Sequence, residues 1–337
     1  MQEKSLSDPE SGIHMDEIYN RVVILGAAGF VGYHLAEKIS ENPSVDVLLV
    51  DNFLRGENDL EFAELIKKSN CTFFPLDLTL RENLVDLIQK DDIVYNLIAF
   101  NGTRNFYEQP MSVLNNSGLT AILIADVCAK KKIAKYFYFG SSESYAGSVE
   151  LGLAPIPTPE NVALTVSDVT NVRWSYGASK TIGEVACFAA NKEFGLDFLI
   201  FRIHNLYGPR MGPDHVVSDL IQKFYRSNPE VFGVKETRSF MFIGDAVEAI
   251  MSISSKSNVE DRVINVGSET EITILELAHL IKDKVNPTLV LKHMESLQGS
   301  ISRRSPDVTL MKKYYPSKLT QLEHGIDKTV SYYLERF

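Results

Sequence analysis

The chain has 337 residues, of which 45% are hydrophobic and 23% are charged, a balance that excludes a disordered, collagen-like or fibrous protein. Lysine and arginine number 34 against 44 aspartate and glutamate, and the formal net charge of −10 argues against partners such as nucleic acid or anionic membranes. The three cysteines are far apart and form no paired motif with each other or with histidine, so the sequence indicates neither a disulfide framework nor a metal site.

The start of the chain, residues 1–20, is polar and has no apolar signal-peptide region. We expect these residues to form a flexible extension. No apolar run approaches the roughly 20 residues that cross a bilayer. The sequence therefore predicts a cytoplasmic protein without a membrane partner.

From Arg21 onward, short β-branched or aromatic runs alternate with longer segments of helical periodicity. Strands are predicted at Arg21–Leu25, Asp46–Val50, Thr72–Pro75, Ile93–Ile98, Tyr136–Gly140, Phe198–Arg202 and Arg262–Val266. Helices are predicted at Gly29–Ser40, Arg81–Gln89, Val113–Lys131, Tyr176–Phe194, Ser218–Arg226 and Ile274–Lys284. This alternation predicts an α/β fold with a doubly wound parallel sheet.

Two loop-rich stretches interrupt the alternation, the Pro-rich segment Leu151–Glu160 and the Gly/Pro-rich segment Gly208–Pro213. We therefore assign residues 21–205, together with roughly 240–267, to the domain built on the sheet. Residues 206–239 and 268–337 are assigned to a smaller, mixed C-terminal lobe. Such a lobe is expected over the carboxyl edge of the sheet, where doubly wound folds bind ligands.

A glycine-rich turn, Gly26-Ala27-Ala28-Gly29-Phe30-Val31-Gly32, lies between the first predicted strand and the first predicted helix. Glycines at such a turn let the backbone approach a pyrophosphate at the helix N-terminus. Asp51 ends the second predicted strand, where a carboxylate accepts hydrogen bonds from a ribose diol and repels a 2′-phosphate. The two features together predict a Rossmann-type site for NAD rather than NADP.

Tyr176 and Lys180 are spaced i and i+4, which places a phenol and an ammonium group on one face of a predicted helix. The lysine cation, together with a cationic nicotinamide, is expected to lower the pKa of the phenol. Tyr176 could then accept a proton from a sugar or alcohol hydroxyl. The segment Gly140–Tyr145 adds hydroxyls and the Glu143 carboxylate at the end of a strand.

In this order the motifs resemble those of the extended short-chain dehydrogenases/reductases, in the group of nucleotide-sugar epimerases, dehydratases and decarboxylases, over about Arg21–Phe337. The matching elements are the glycine-rich turn, Asp51-Asn52-Phe53, Asp77-Leu78, Asn115-x-x-Gly118, the Ser141 segment, Tyr176-x-x-x-Lys180, Asn205–Arg210 and Thr237–Phe240. The resemblance implies NAD as the cofactor, a nucleotide-diphosphate sugar as the substrate and transient oxidation of the sugar at carbon 4. It also implies a homodimer formed through the helices Val113–Lys131 and Tyr176–Phe194.

The resemblance further implies a role for each matching residue. Tyr176 is the base, Lys180 holds the nicotinamide ribose, and Ser141, or its neighbour Ser142, hydrogen-bonds the reacting hydroxyl. Residues 21–205, together with roughly 240–267, would bind NAD, and the lobe of residues 206–239 and 268–337 would bind the nucleotide sugar. The implied cofactor-binding residues are Gly26, Gly29, Phe30, Val31, Gly32, Asp51, Asn52, Asp77 and Leu78, with Tyr176 and Lys180. The implied substrate-binding residues are Asn205, Arg210, Arg238 and Arg304, and no metal ligands are implied.

Glu143 bears on the net reaction, which the resemblance leaves open. Dehydratases and uronate decarboxylases of the group often have a glutamate here, whereas simple 4-epimerases often have a small or hydroxyl residue. As a catalytic residue, Glu143 would remove the carbon-5 proton or orient a departing carboxylate, and as a structural residue it would cap a local turn. The segment Arg303–Asp307 resembles the corresponding segment of the uronate decarboxylases. His204, in contrast, resembles a histidine at the corresponding position of a mannose-type 3,5-epimerase.

Two other classes are weighed against this group, an alcohol or steroid dehydrogenase that releases NADH, and an NAD-sensing protein without activity. The implied phosphate contacts of Asn205 and Arg238 argue against the first class. The combination of Ser141, Tyr176 and Lys180 argues against the second, since a sensor needs no proton acceptor.

Overall fold

The computed structural model describes residues 20–296 and 302–337. The extension expected at residues 1–20 therefore lies outside the described residues, except for Asn20. The strands are β1 Arg21–Leu25, β2 Asp46–Val50, β3 Cys71–Phe74, β4 Ile93–Asn96, β5 Lys135–Ser141, β6 Phe198–Ile203, β7 Leu206–Tyr207, β8 Glu230–Phe232, β9 Thr237–Ser239, β10 Met241–Phe242, β11 Val263–Val266, β12 Glu271–Thr273, β13 Lys292–Met294 and β14 Arg303–Arg304.

The helices surround the main sheet and build most of the smaller lobe. They are α1 Phe30–Ile39, α2 Leu60–Leu65, α3 Arg81–Leu87, α4 Thr103–Glu108, α5 Pro110–Val113, α6 Thr120–Lys131, α7 Ala146–Glu150, α8 Ser175–Phe194, α9 Val216–Tyr225, α10 Ile243–Ser254, α11 Ile274–Val285, α12 Thr309–Tyr314 and α13 Leu322–Leu334. A π-helical turn, Leu114–Leu119, joins α5 to α6, and 3-10 turns form at Ser142–Tyr145 and Val172–Trp174.

Seven parallel strands form the main sheet in the order β11-β6-β5-β4-β1-β2-β3. Strand β1 is buried on both faces from Val22 to Leu25, which explains its continuous apolar sequence. The chain runs outward from β1 to β3 and then returns to place β4 on the other side of β1. The strand order therefore reverses between β1 and β4, and a crevice opens there at the carboxyl ends of the strands.

The structure confirms the predicted doubly wound parallel sheet, and it adds helices that the sequence pattern did not reveal. Helices α10 and α13 begin without a hydrogen bond from a capping side chain, so their sequences lack the usual start signal. The predicted helix Val113–Lys131 begins earlier, at Pro110, and contains the π-helical turn.

The smaller lobe has a core of its own, with α9, α11 and α13 packed around Phe224, Leu277 and Ile326. Helix α12, which the sequence analysis placed in this lobe, instead contacts α10 and β11. Its Met311 is buried in the core beside the main sheet, so α12 packs with the sheet domain.

The continuous helix Pro110–Lys131 is long and apolar enough to span a membrane by length and composition, contrary to the expectation that no segment qualifies. Half of its most apolar window is buried, and α6 packs closely against α8. Such packing is typical of a helix that lies within a folded domain.

Candidate active site

The glycine-rich turn adopts a conformation that excludes side chains at two positions. Gly26 has a φ of +88°, which L side chains rarely adopt. A Cβ on Gly32 would lie 2.1 Å from the carbonyl oxygen of Gly26, so α1 approaches the turn too closely for any other residue. Helix α1 starts with no side-chain cap at Gly29, which leaves its first N–H groups, near Phe30 and Val31, for an anion.

Asp51 lies beside this turn and is oriented by backbone donors. Its Oδ2 accepts a hydrogen bond from Ala28 N at 3.0 Å, and its Oδ1 accepts one from Phe53 N at 2.7 Å. Burial raises the pKa of Asp51, although these N–H donors counter part of the effect. Each carboxylate oxygen keeps a lone pair for a ribose hydroxyl.

Asp51 shares a hollow with Asn52, Asp77 and Leu78, all of which were predicted to contact the cofactor. The exposed Asp77 accepts hydrogen bonds from the backbone and hydroxyl of Thr79, at 2.9 and 2.8 Å. The glycine-only turn, the uncapped helix and a carboxylate at the end of β2 fit a dinucleotide with a free ribose diol.

The serine-rich segment turns sharply where β5 ends. The Oγ of Ser141 accepts a hydrogen bond from Glu143 N at 3.2 Å and caps the 3-10 turn. A Cβ on Gly177 would lie 2.7 Å from the carbonyl oxygen of Glu143. The start of α8 is therefore pressed against this turn, which places Tyr176 beside Ser141.

Tyr176 is buried, and its ring stacks on Phe106 with 5.0 Å between centroids and 11° between planes. Burial and the negative charge of Glu143 raise the pKa of Tyr176 above its usual value, whereas a hydrogen bond with Ser141 acts to lower it. The expected lowering of this pKa by Lys180 is therefore absent from the protein alone, because burial outweighs the local favourable interactions. Ser141 rather than Ser142 is the serine that acts on the pKa of Tyr176.

Lys180 is almost fully buried one helical turn beyond Tyr176. Its Nζ donates hydrogen bonds to the carbonyl oxygens of Ile98, at 3.0 Å, and Phe139, at 2.8 Å. Two of its three N–H donors are thus used, which leaves one for a ribose hydroxyl. Burial lowers the pKa of Lys180 to about 7, and the negative charge of Glu184 opposes that shift.

Glu143 is paired with two arginines. Its Oε1 lies 2.8 Å from Arg304 Nη1, and its Oε2 lies 3.4 Å from Arg173 Nη2. Burial acts to raise the pKa of Glu143, but Arg304 and Arg173 more than offset it, and the net pKa lies below the usual value. Glu143 is therefore an ionised carboxylate at neutral pH that positions two cations.

The other predicted substrate contacts have protein partners. Arg210, at a φ of 62°, donates from Nε to Asp59 at 2.7 Å and stacks over the Tyr33 ring. Asn205 donates to the carbonyl of Ser239 at 3.1 Å. Arg238 pairs with Glu236 at 3.0 Å, and burial with the nearby Arg304 charge lowers the pKa of Arg238 to about 10.

One open cleft of about 410 Å³ brings most of the predicted residues together. It is lined, among others, by Gly26, Gly29, Phe30, Val31, Gly32, Ser141, Glu143, Tyr176, Lys180, Asn205, Arg210 and Arg304. Arg238 is not among the described residues that line this cleft. It lies opposite Arg304 in the register of the parallel strands β9 and β14.

His204, singled out in the sequence, is a neutral residue. Asn265 donates from Nδ2 to the carbonyls of Thr158 and Asp307, so its Oδ1 must be the acceptor at 3.2 Å from His204 Nε2. Nε2 therefore carries the ring proton. Burial lowers the pKa of His204 to about 3, so the ring is not an acid at neutral pH.

Sequence reasoning missed two residues that shape the site, Arg173 and Phe106. Arg173 comes three residues before Tyr176, and a basic residue close to a predicted catalytic helix is the signal that could have found it. Phe106 had no such signal, because an isolated phenylalanine in a predicted loop does not indicate a contact with a catalytic ring.

Comparison with known proteins agrees with this geometry. The family model described as "NAD dependent epimerase/dehydratase family" matches residues 22–267. The chain is 30% identical to a UDP-N-acetyl-alpha-D-glucosaminuronate decarboxylase of Bacillus cytotoxicus, over 94% of this chain and 98% of that protein. It is also 30% identical to UDP-glucuronic acid decarboxylase 5 of Arabidopsis thaliana, over 87% of this chain and 83% of the relative.

Among solved structures, a UDP-glucuronic acid 4-epimerase from Bacillus cereus, crystallised with NAD and a fluorinated UDP-glucuronic acid, superposes with a TM-score of 0.84. The two chains are 23% identical, and the match covers 94% of this chain and all of that one. The fold and the site thus define an NAD-dependent enzyme of the extended short-chain dehydrogenase/reductase class. Within that class, the chain belongs to the NAD-dependent epimerase/dehydratase family, whose members modify nucleotide sugars.

Proposed function

We propose that this protein decarboxylates a UDP-hexuronic acid. The observation that carries the proposal is Arg304, which lines the cleft with Ser141 and Tyr176 and is held there by its ion pair with Glu143. A neutral sugar offers this guanidinium no charged partner, whereas a uronate carboxylate binds such a planar donor well. Relatives that are named UDP-uronate decarboxylases support this assignment.

In the proposed reaction, carbon 4 of the sugar is oxidised to a ketone, and NAD, when bound, would serve as the hydride acceptor. Tyr176 accepts the proton of the carbon-4 hydroxyl at its phenolic oxygen, and Ser141 hydrogen-bonds the same hydroxyl. Lys180, held by the carbonyls of Ile98 and Phe139, directs its remaining N–H at the ribose.

The carboxylate then lies β to a ketone. Cleavage of the bond between carbon 5 and carbon 6 releases carbon dioxide and leaves the electron pair in an enolate, which takes a proton from solvent at carbon 5. The ketone at carbon 4 then takes back the hydride, and Tyr176 returns its proton to the oxygen, so no reduced cofactor accumulates. Arg304, which lines the cleft, holds the carboxylate, and the ion pair with Glu143 fixes the position of Arg304. The arginines lower the pKa of Glu143 and so make its carboxylate a weaker base, which favours the orienting role over that of a proton acceptor.

The test is product analysis with UDP-glucuronic acid, UDP-N-acetylglucosaminuronic acid, UDP-glucose and UDP-N-acetylglucosamine. We expect one of the uronates to lose carbon dioxide and the neutral sugars to remain unchanged. A product of unchanged mass would instead identify a 4-epimerase, loss of water a dehydratase, and accumulating NADH a simple dehydrogenase. Any of these three results would overturn the proposal.

We also propose that the protein is a cytoplasmic homodimer that binds neither nucleic acid nor membranes. The packed helices α6 and α8 expose the apolar side chains of Ile122, Ile182 and Val185, and Leu119 is exposed in the π-helical turn just before α6. Exposed apolar side chains on packed helices support an interface with a second copy of the chain. The net charge of −10 supports the absence of polyanionic partners.

A further inference from the structure

Arg55, which the proposed reaction does not use, lies where the two parts of the ligand site meet. The hollow beside Asp51 and the main cleft are both lined by Gly26, Gly29 and Arg55. Of the described residues that line both, Arg55 is the only charged one. The glycine-rich turn also carries the first N–H groups of α1, which would bind a diphosphate. The Arg55 guanidinium therefore lies at the junction that this anion would occupy.

Arg55 connects this junction to the smaller lobe. Its Nη1 donates to Asp214 Oδ2 at 2.9 Å, and Asp214 lies in the loop that leads into α9. Both side chains also lie close to Gly102, in the loop after β4. A Cβ on Gly102 would be 3.2 Å from Asp214 Oδ2 and 3.6 Å from Arg55 Nη1. Three loops therefore meet at this ion pair.

The Arg55 guanidinium has donors to spare. It has five N–H groups, and within residues 20–296 and 302–337 only the bond from Nη1 to Asp214 is formed. Its positive charge also acts to lower the pKa of Tyr176, against the larger effect of burial. Arg55 is thus close enough to the cleft to influence the reacting phenol.

A second pair between the same loops, Arg210 with Asp59, differs in burial. The Arg210 side chain is 4% exposed, whereas those of Arg55 and Asp214 are 28% and 39% exposed. An exposed ion pair contributes little to stability. Arg210 therefore holds the loops together, and Arg55 remains accessible to a ligand.

We propose that Arg55 binds the diphosphate of NAD while it keeps its ion pair with Asp214, and that it thereby couples the cofactor site to the smaller lobe. A charge-assisted bond from a guanidinium to a phosphate is among the stronger polar contacts in proteins. Because coupling between two sites is reciprocal, a ligand that orders the Asp214 loop tightens NAD binding, and NAD tightens binding of that ligand.

The first arm of the test measures dissociation constants by calorimetry, with protein freed of nucleotide and with NAD, ADP and adenosine as probes. Arg55→Gln is expected to raise the dissociation constants of NAD and ADP by about tenfold and to leave that of adenosine unchanged. Arg55→Lys is expected to recover part of the lost affinity. Arg104→Gln is the matched control, since Arg104 is a nearby, 78% exposed arginine paired with Glu108. Unchanged NAD affinity in Arg55→Gln, or an equal loss for adenosine, would overturn the phosphate contact.

The second arm measures NAD affinity with and without saturating UDP. The wild type is expected to bind NAD about fivefold more tightly when UDP is present, and Asp214→Asn to show no such gain. Coupling that survives in Asp214→Asn, or that is absent from the wild type, would overturn the coupling role. Neither arm needs turnover, so both can succeed or fail independently of the proposed decarboxylation.

Discussion

Tyr176 shows how burial and catalysis compete at a single residue. Desolvation keeps its phenol protonated in the protein alone, while Ser141 and Arg55 favour the phenolate. Tyr176→Phe removes the proton acceptor but keeps the ring that stacks on Phe106. We expect turnover to fall by about 10²–10⁴-fold with NAD affinity nearly unchanged, measured by steady-state kinetics and calorimetry. Turnover close to that of the wild type would contradict the assignment of the base.

The lowered pKa of Glu143 makes a prediction about stability and pH. A carboxyl whose folded-state pKa is depressed stabilises the fold above its unfolded pKa, near 4.3, and loses that contribution as the pH falls through the folded pKa. Glu143→Gln lacks this contribution at every pH. We therefore expect the Tm deficit of Glu143→Gln to be largest near pH 6 and to narrow toward pH 3.

The control for this experiment is Glu108→Gln, because Glu108 is a half-exposed partner of Arg104 and its pairing is solvent-screened. Its Tm should follow the wild type across the same range. A deficit of Glu143→Gln that stays constant from pH 6 to pH 3 would show that the ionised carboxylate does not contribute to stability.

At the scale of elements, the site depends on how closely α8 approaches the serine-rich turn. Gly177→Ala would ordinarily stabilise a helix by about 1 kcal/mol. Here the added Cβ meets the Glu143 carbonyl oxygen at 2.7 Å, and such overpacking costs about 1–3 kcal/mol. We expect a lower Tm and a lower kcat, because the turn and Tyr176 must move apart.

Gly212→Ala is a suitable comparison for this variant, since a Cβ on Gly212 meets no atom within 4 Å. It should leave the Tm nearly unchanged when both variants are followed by circular dichroism. If Gly177→Ala is as stable and as active as the wild type, the close contact does not position the site.

At the scale of the whole molecule, the apolar face of α6 and α8 predicts the oligomeric state. Val185→Glu places a charge on a side chain that is 54% exposed in the single chain and would be buried in the proposed dimer. We expect light scattering to show a dimer for the wild type and a folded monomer for Val185→Glu. Val290→Glu, at an 84% exposed valine away from these helices, should remain a dimer. A monomeric wild type at micromolar concentration would contradict the interface.

Local sequence was enough to predict the sheet and its ligand edge. The apolar run Val22–Leu25 and the glycine turn after it encode a buried parallel strand and a helix start, and both signals act within a few residues. The i, i+4 spacing of Tyr176 and Lys180 likewise fixes their common face. The structure confirms the fold, and it places these two residues in one cleft.

Tertiary structure decided which charges meet, because ion pairs join residues that are distant in the chain. Glu143 is paired with Arg304 and Arg173 only because β14 and the 3-10 turn Val172–Trp174 both lie against the 3-10 turn Ser142–Tyr145. The spacing of these residues along the sequence does not indicate that they come together. The pKa of Tyr176 also depends on burial, which the whole fold creates, and so the sequence alone indicated a lowered value where the structure raises it.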